Sequence, residues 1–215
     1  MKNTAKKFSR VLVTSILLLS MALSLGACSK GEDIVADGSA FKDKRTNVTY
    51  VYAPFSYEPI ELGAEVYGES EHSKFYEIAG LDPLEFICEE SGTVFYSEDT
   101  TLPTPDKMKF DYLEICTEDE SITVESTVTN IESIKAIMNE HLSAKTLTYW
   151  GDTALTVYKL RFADTSLGLY YSVSFIRYAE DRVEDGVNYG KDFIYDSSTF
   201  RLTKAPDALV AMIDA

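Results

Sequence analysis

The chain has 215 residues, with 20 Lys and Arg against 35 Asp and Glu, for a formal net charge of −15 at pH 7. A chain so acidic is repelled by phosphate backbones and by anionic lipid, which excludes nucleic-acid binding and any membrane contact that relies on basic patches. The length suffices for one domain with a real core and is too short for the two large lobes of a solute-binding protein.

Residues 1–10 carry Lys2, Lys6, Lys7 and Arg10 and no acid. Val11 to Leu25 then run without a charge, and Gly26 and Ala27 lead into Cys28. A basic start, an apolar run of about 7–15 residues and a small-residue site read as a secretory signal. A membrane span needs about 20 apolar residues. Leu25-Gly26-Ala27-Cys28 resembles the lipobox of bacterial lipoproteins, with Leu three residues before the cysteine and small residues between. The resemblance covers only the leader. It implies that residues 1–27 are removed and that the Cys28 thiol carries diacylglycerol at a new N-terminus. The mature chain would then be anchored on the extracytoplasmic face of the cell membrane. Each buried methylene contributes about 0.8 kcal/mol, so one acyl chain binds marginally and two or more bind stably. Without the four leader cations the balance is 16 − 35 = −19, so the body itself gives the membrane no reason to hold it.

Residues 28–46 after the signal are small, polar and mixed in charge, and are expected to form a flexible tether, with Lys42, Lys44 and Arg45 solvated. From Asn47 onward β-branched and aromatic residues recur between closely spaced turn signals, and residues 47–215 read as one domain. "NVTYVYAPF", "IELGAEVYG", "KFYEIAG", "LEFICEE" and "TVFYSE" are predicted strands, the last two joined by a turn at Glu90-Ser91-Gly92. Pro103 and Pro105 make the next segment a loop. "MKFDYLEIC" and "SITVESTVT" predict a second hairpin. Asn130 is placed to cap a helix over "IESIKAIMNEHLSA", whose Ile131, Ile134, Ile137, Met138 and Leu142 form one apolar stripe. "TLTYW", "ALTVYKLRFA", "GLYYSVSFIRYA" and "KDFIYDSSTFRLT" predict a meander with an acidic loop at "EDRVEDG". Pro206 opens a short C-terminal helix. Strands do not alternate with helices. The expected class is therefore α+β, predominantly antiparallel sheet with one central amphipathic helix and a short C-terminal helix.

Candidate chemistry is sparse. Cys88 and Cys116 both fall in predicted strands, and export would permit a disulfide if their Cα atoms came within about 4.4–6.8 Å. The alternative is two separate buried thiols. His72 lies in a polar loop and His141 near the end of the helix, without metal-ligand spacing. Glu180, Asp181, Glu184 and Asp185 do not match a calcium loop and read as a solvated turn. In "GLYYSVSFIRY", Leu169, Tyr171, Val173 and Phe175 share one face, and Tyr170, Ser172, Ser174, Ile176 and Tyr178 the other. Tyr170 and Tyr178 mark a candidate binding face, with ordinary sheet packing as the alternative. No catalytic motif, metal or cofactor is called for.

The sequence thus points to a lipid-anchored extracytoplasmic module that binds a protein, peptide or glycan, and not to an enzyme. The competing expectations are a small hydrolase with dispersed site residues, gathering a histidine with a serine and a carboxylate, and a structural envelope component. Expressed in bacteria, the chain should gain a lipid-sized mass increment and partition with membranes, and Cys28→Ala should lose both. A wild-type chain that is unmodified and soluble would remove the anchor from the account.

Overall fold

β-branched and aromatic runs separated by Gly, Asp and Pro fold as short strands because such side chains pack well on a pleated surface. The computed structural model describes residues 32–119, 121–149 and 154–215. Cys28, the leader and Trp150 lie outside them. In chain order the strands are β1 (Ile34–Asp37), β2 (Ala40–Asp43), β3 (Thr49–Tyr52), β4 (Tyr57–Pro59), β5 (Leu62–Glu69), β6 (Lys74–Ile78), β7 (Phe86–Glu89) and β8 (Val94–Ser97). A 3-10 turn at Pro105–Lys107 precedes β9 (Tyr112–Glu118), β10 (Ile122–Val128) and helix α1 (Ile131–Ser143). Then come β11 (Thr156–Asp164), β12 (Leu169–Glu184), β13 (Val187–Asp196), β14 (Arg201–Lys204) and helix α2 (Asp207–Ile213). The fold is α+β and mostly antiparallel sheet, with one central helix and one at the C-terminus.

The first sheet runs β1-β2-β3-β8-β7-β6-β5 and the second β10-β9-β11-β12-β13-β14, with β4 added to the start of β12. The main core lies between them. It takes Ile78, Phe86, Cys88 and Val94 from the first sheet and Leu113, Leu160, Phe162, Tyr171 and Phe175 from the second. Ile134, Ile137 and Met138 of α1 and Leu209 of α2 complete it. A second cluster of Ile34, Tyr50, Phe75, Ile87 and Phe95 fills the other side of the first sheet. There Gly68 of β5 comes so near Ile34 of β1 that an added Cβ would stand 2.9 Å from the Ile34 side chain, so the sheet's two edges converge. A third cluster, Leu147, Ile176, Tyr178, Phe193 and Leu202, covers part of the outer face of the second sheet. No helix among the described residues is long and apolar enough to cross a membrane.

Several local expectations shift. Residues 34–43, read as tether, form the β1–β2 hairpin around the two-residue loop Gly38–Ser39. Ile34 anchors it in the second core, and the buried Asp43 carboxylate accepts from Arg45 Nη2 at 2.9 Å and Tyr67 Oη at 2.9 Å. Burial would raise the Asp43 pKa, but these bonds outweigh it and hold the carboxyl at about 2. The expected acidic loop is mostly strand: β12 continues to Glu184, and only Asp185-Gly186 turns, both at positive φ (54° and 78°), as a tight hairpin requires. "KDFIYDSSTFRLT" is two strands, β13 and β14, folded back through Phe200 at φ 54°. Among the described residues of "TLTYW" only Leu147 pairs, with Leu202. Pro206 stands just before α2 as its cap position. The α1 cap is as expected: Asn130 Oδ1 accepts from the Ser133 amide at 3.0 Å.

The C-terminal end of α1 is fastened from β14. Arg201 Nη2 donates to the carbonyls of His141, Leu142 and Ala144 at 3.0, 2.7 and 2.9 Å, satisfying acceptors that a helix end leaves open. His141 is fully buried. Its Nδ1 meets Thr203 Oγ1 at 2.8 Å, and Nε2 has no hydrogen-bond partner among the described residues. Burial, reinforced by the Arg201 charge, pushes the imidazole down to about 4. Above pH 6.5 the ring is neutral in both states and costs nothing. Between there and about pH 4 only the unfolded chain takes up the proton, so about 3 kcal/mol of stability should be lost across that window. Urea unfolding at pH 7 and pH 4.5 checks this: His141→Gln should show a smaller pH difference than wild type, and an equal difference would assign the loss to other groups.

Candidate functional site

Strand β4 builds the site. Its pairing with β12 sets Pro59 opposite Leu169, Glu58 opposite Tyr170 and Tyr57 opposite Tyr171. Alternation sends Tyr57 into the main core, where its hydroxyl donates to the Pro103 carbonyl at 2.5 Å, and leaves Glu58 on the outer face with Tyr170. On that face the ladders of β9, β11 and β12 place Arg161 opposite both Glu114 and Ser172, and Lys159 opposite both Cys116 and Ser174. A polar stripe results, continuous along the sheet with the apolar cluster around Ile176 and Tyr178.

The charges interlock across this stripe. Lys159 Nζ lies 2.8 Å from Glu58 Oε1 and 3.2 Å from Glu118 Oε1. Arg161 Nη1 lies 3.2 Å from Glu114 Oε2, its Nε is 3.5 Å from Glu58 Oε2, and its guanidinium sits 3.7 Å over the Tyr170 ring. Tyr170 is in turn linked through its hydroxyl to Tyr112, at 3.1 Å. Burial alone would lower the Lys159 pKa, but the hydrogen bond and charge of Glu58, with Glu118, raise it. Lys159 is therefore held as a cation, and as such it cannot take a proton from Ser174.

Above the stripe lies a cleft of about 420 Å³, closed on its far side by Ser91, Gly92 and Thr93 of the β7–β8 turn. A smaller extension of about 170 Å³ runs toward Ser172, Ser174 and Ser197. Glu58, Glu118 and Lys159 line both parts. The Ser172 hydroxyl in the extension is buried without a hydrogen-bond partner among the described residues, as is Arg161 Nε. Buried polar atoms in native proteins are normally satisfied, so the Ser172 hydroxyl is free to take a partner from outside the protein, whereas Arg161 Nε already faces Glu58 Oε2. The cleft can thus hold a polar molecule that bonds to Ser172 and meets charges of both signs.

The residues singled out in the sequence fall elsewhere. Cys88 and Cys116 are both free and buried, so the disulfide is not formed. Cys88 belongs to β7 of the first sheet and Cys116 to β9 of the second. Burial pushes the Cys88 thiol up to about 12, and Cys116 is likewise raised by burial and then by Glu114. Tyr170 and Tyr178 are 4% and 2% exposed and so do not form a binding face themselves. Both lie on the outer face of β12, where Arg161 covers Tyr170 and Arg182 lies 4.3 Å over Tyr178. His72 is exposed beside Glu71 and His141 is a buried residue of α1, and neither lines the cleft. Asp181 pairs with Asn188, and Glu184 and Asp185 with Lys145. No group of His, Cys, Asp and Glu among the described residues is placed to hold a metal ion. Glu58, Glu114, Lys159 and Arg161 were overlooked. Their signal was period-two charge, Lys159 and Arg161 alternating with Tyr158, Leu160 and Phe162, and Glu114 with Leu113 and Ile115.

No protein-family model, curated protein or solved structure matches the chain.

Arg161→Met should cost about 2 kcal/mol, because it strands the half-buried Glu114 carboxylate and uncovers Tyr170. Urea unfolding of Arg161→Met, Glu114→Gln and the double variant measures it. The pair predicts a coupling of about 1 kcal/mol, and strictly additive losses would deny it.

Proposed function

We propose that the protein is a lipid-anchored extracytoplasmic binding module that receives a segment of a protein or peptide partner in the cleft above Glu58, Lys159 and Arg161. The observation that carries this reading is the Ser172 hydroxyl, buried and without a partner among the described residues, in a cleft whose neighbouring charges are already paired with each other. Paired charges beside a spare hydroxyl suit a polar chain with its own carbonyls and mixed side chains better than a strongly charged small ion. Tyr170, the ring beside Arg161, is 4% exposed and offers a glycan no stacking surface at that end of the cleft. Anchoring rests on the leader and its Leu25-Gly26-Ala27-Cys28 motif. The competing hydrolase reading needs a base in the cleft, and here the histidines stand apart and Lys159 is cationic.

The test places a photocrosslinking residue at Thr93, on the cleft rim, in the full chain within bacterial membranes. A discrete protein or peptide adduct should form there, and a label at Asp37, outside the cleft, should give none. Adding Lys159→Glu, which sets a third carboxylate against Glu58 and Glu118, should abolish the Thr93 adduct. Equal labelling from both positions, or an adduct indifferent to Lys159→Glu, would reject the cleft as the binding site.

A further inference from the structure

We propose that the free edge of β10 binds an extended, lysine- or arginine-bearing segment of a protein partner by strand addition. This deepens the reading above and rests on the domain being a protein-binding module, but it concerns a different surface, the sheet edge beside the cleft.

An outer strand presents a row of unpaired backbone groups, and proteins normally cover or disrupt such edges. Of the five edges among the described residues, β4 is only three residues long and three others are partly covered. β1 and β5 converge over the second core, where Arg45 Nη1 also donates to the Tyr67 carbonyl at 2.8 Å. β14 is met by Leu147, whose amide donates to the Leu202 carbonyl at 2.8 Å. β10 pairs with β9 alone among the described residues, and six of its seven residues are exposed. Its sequence, Ile-Thr-Val-Glu-Ser-Thr-Val, is dominated by β-branched residues and has neither proline nor lysine, the usual edge protectors. Ile122 and Val124 are 40% and 45% exposed, and Ile122 also lines the cleft.

Charge selects the occupant. From Phe110 to Ile134 the sequence holds seven acids and no Lys or Arg. Glu118 and Asp119 stand at the hairpin end, and Glu125 sits at the bulge between Val124 and Ser126. A second copy added at this edge would bring like charges together, which destabilises cross-strand neighbours. A cationic strand would meet opposite charges at the same positions. It would lie about 4.8 Å beyond β10, with alternate side chains on the face that carries Ile122, Val124 and the cleft. Bulge and glutamate thus discourage self-pairing while leaving the edge open to a basic partner.

The probe is a dye-labelled, end-blocked peptide, Val-Lys-Val-Thr-Lys-Val-Thr, titrated by fluorescence anisotropy against the full chain. Saturable binding is expected, weakened by added salt and about tenfold by Glu125→Lys. Val124→Pro, which places a residue without an amide hydrogen in the strand, should weaken it as well, with thermal melts showing that each variant is folded. No binding up to about 1 mM, binding unchanged in Glu125→Lys, or a dimer through β10 in sedimentation would overturn the proposal. The Thr93 crosslink separates the two readings. An adduct that persists when the peptide fails to bind would retire the edge alone, and peptide binding without an adduct would retire the cleft alone.

Discussion

The contact on which the site depends is the pairing of β4 with the start of β12. Only three residues take part, yet they carry the chain from the first sheet to the second. The crossing is fixed at both ends: the Ser172 amide donates to the Ser56 carbonyl at 2.8 Å, and the Ile60 amide to the Gly168 carbonyl at 3.0 Å. Gly168 has φ +68°, and a Cβ there would stand 3.1 Å from the Ala79 carbonyl oxygen. The β11–β12 turn therefore both adopts a backbone conformation that favours glycine and brushes the end of β6. Without this crossing Glu58 would not reach Lys159 and Arg161, and two cations would be left half-buried with fewer partners than they need.

The outer face of β12 shows why the charged stripe is a choice the fold does not require. Farther along the same face, Ile176 and Tyr178 are buried with Phe193, Leu147 and Leu202 in an ordinary apolar cluster. The sequence could have continued that cluster over Ser172 and Ser174, and apolar replacement of a buried ion network is often neutral or stabilising. Instead the face changes to Glu114, Arg161, Lys159 and Glu58, with ring stacking on Tyr170 offsetting part of the desolvation. Stability alone does not account for this switch.

How much of this was readable in the sequence follows the range of the interaction. α1 was legible because its cap and apolar stripe are local, and β12 because strict alternation assigns its two faces without knowing the partner strands. β1 and β2 were not, since each is four residues long and commits few apolar residues to a core formed mostly by Tyr50, Phe75 and Phe95. Tyr170 and Tyr178 were placed on the correct face yet misjudged as accessible. Their cover is the guanidinium of Arg161 in one case and Arg182 in the other, and side-chain cover is invisible to periodicity. Glu58 was missed for the same reason: nothing near it in the chain announces that it will be carried onto β11.

The hairpin found in place of a tether also changes the geometry of anchoring. On the anchored reading, only Ser29 to Asp33 would separate the lipidated Cys28 from β1 at Ile34, a reach of at most about 20 Å. A fully stretched link would leave the domain largely screened from the lipid, but a slack one would bring it within the screening length of about 8 Å, where an acidic domain feels the anionic surface it hangs from. The end nearest the anchor is where the chain places Lys42, Lys44 and Arg45. Arg45 already balances Asp43 at 2.9 Å and Asp33 at 3.7 Å, while Lys42 and Lys44 add local positive charge. The acid-only stretch from Phe110 to Ile134 belongs to the other sheet. Repulsion from the lipid would then orient the body, with the basic hairpin toward the membrane and the acidic β9–β10 hairpin, beside the cleft, turned away from it. A short anchor and an uneven charge distribution can together present a binding surface without any rigid contact to the bilayer.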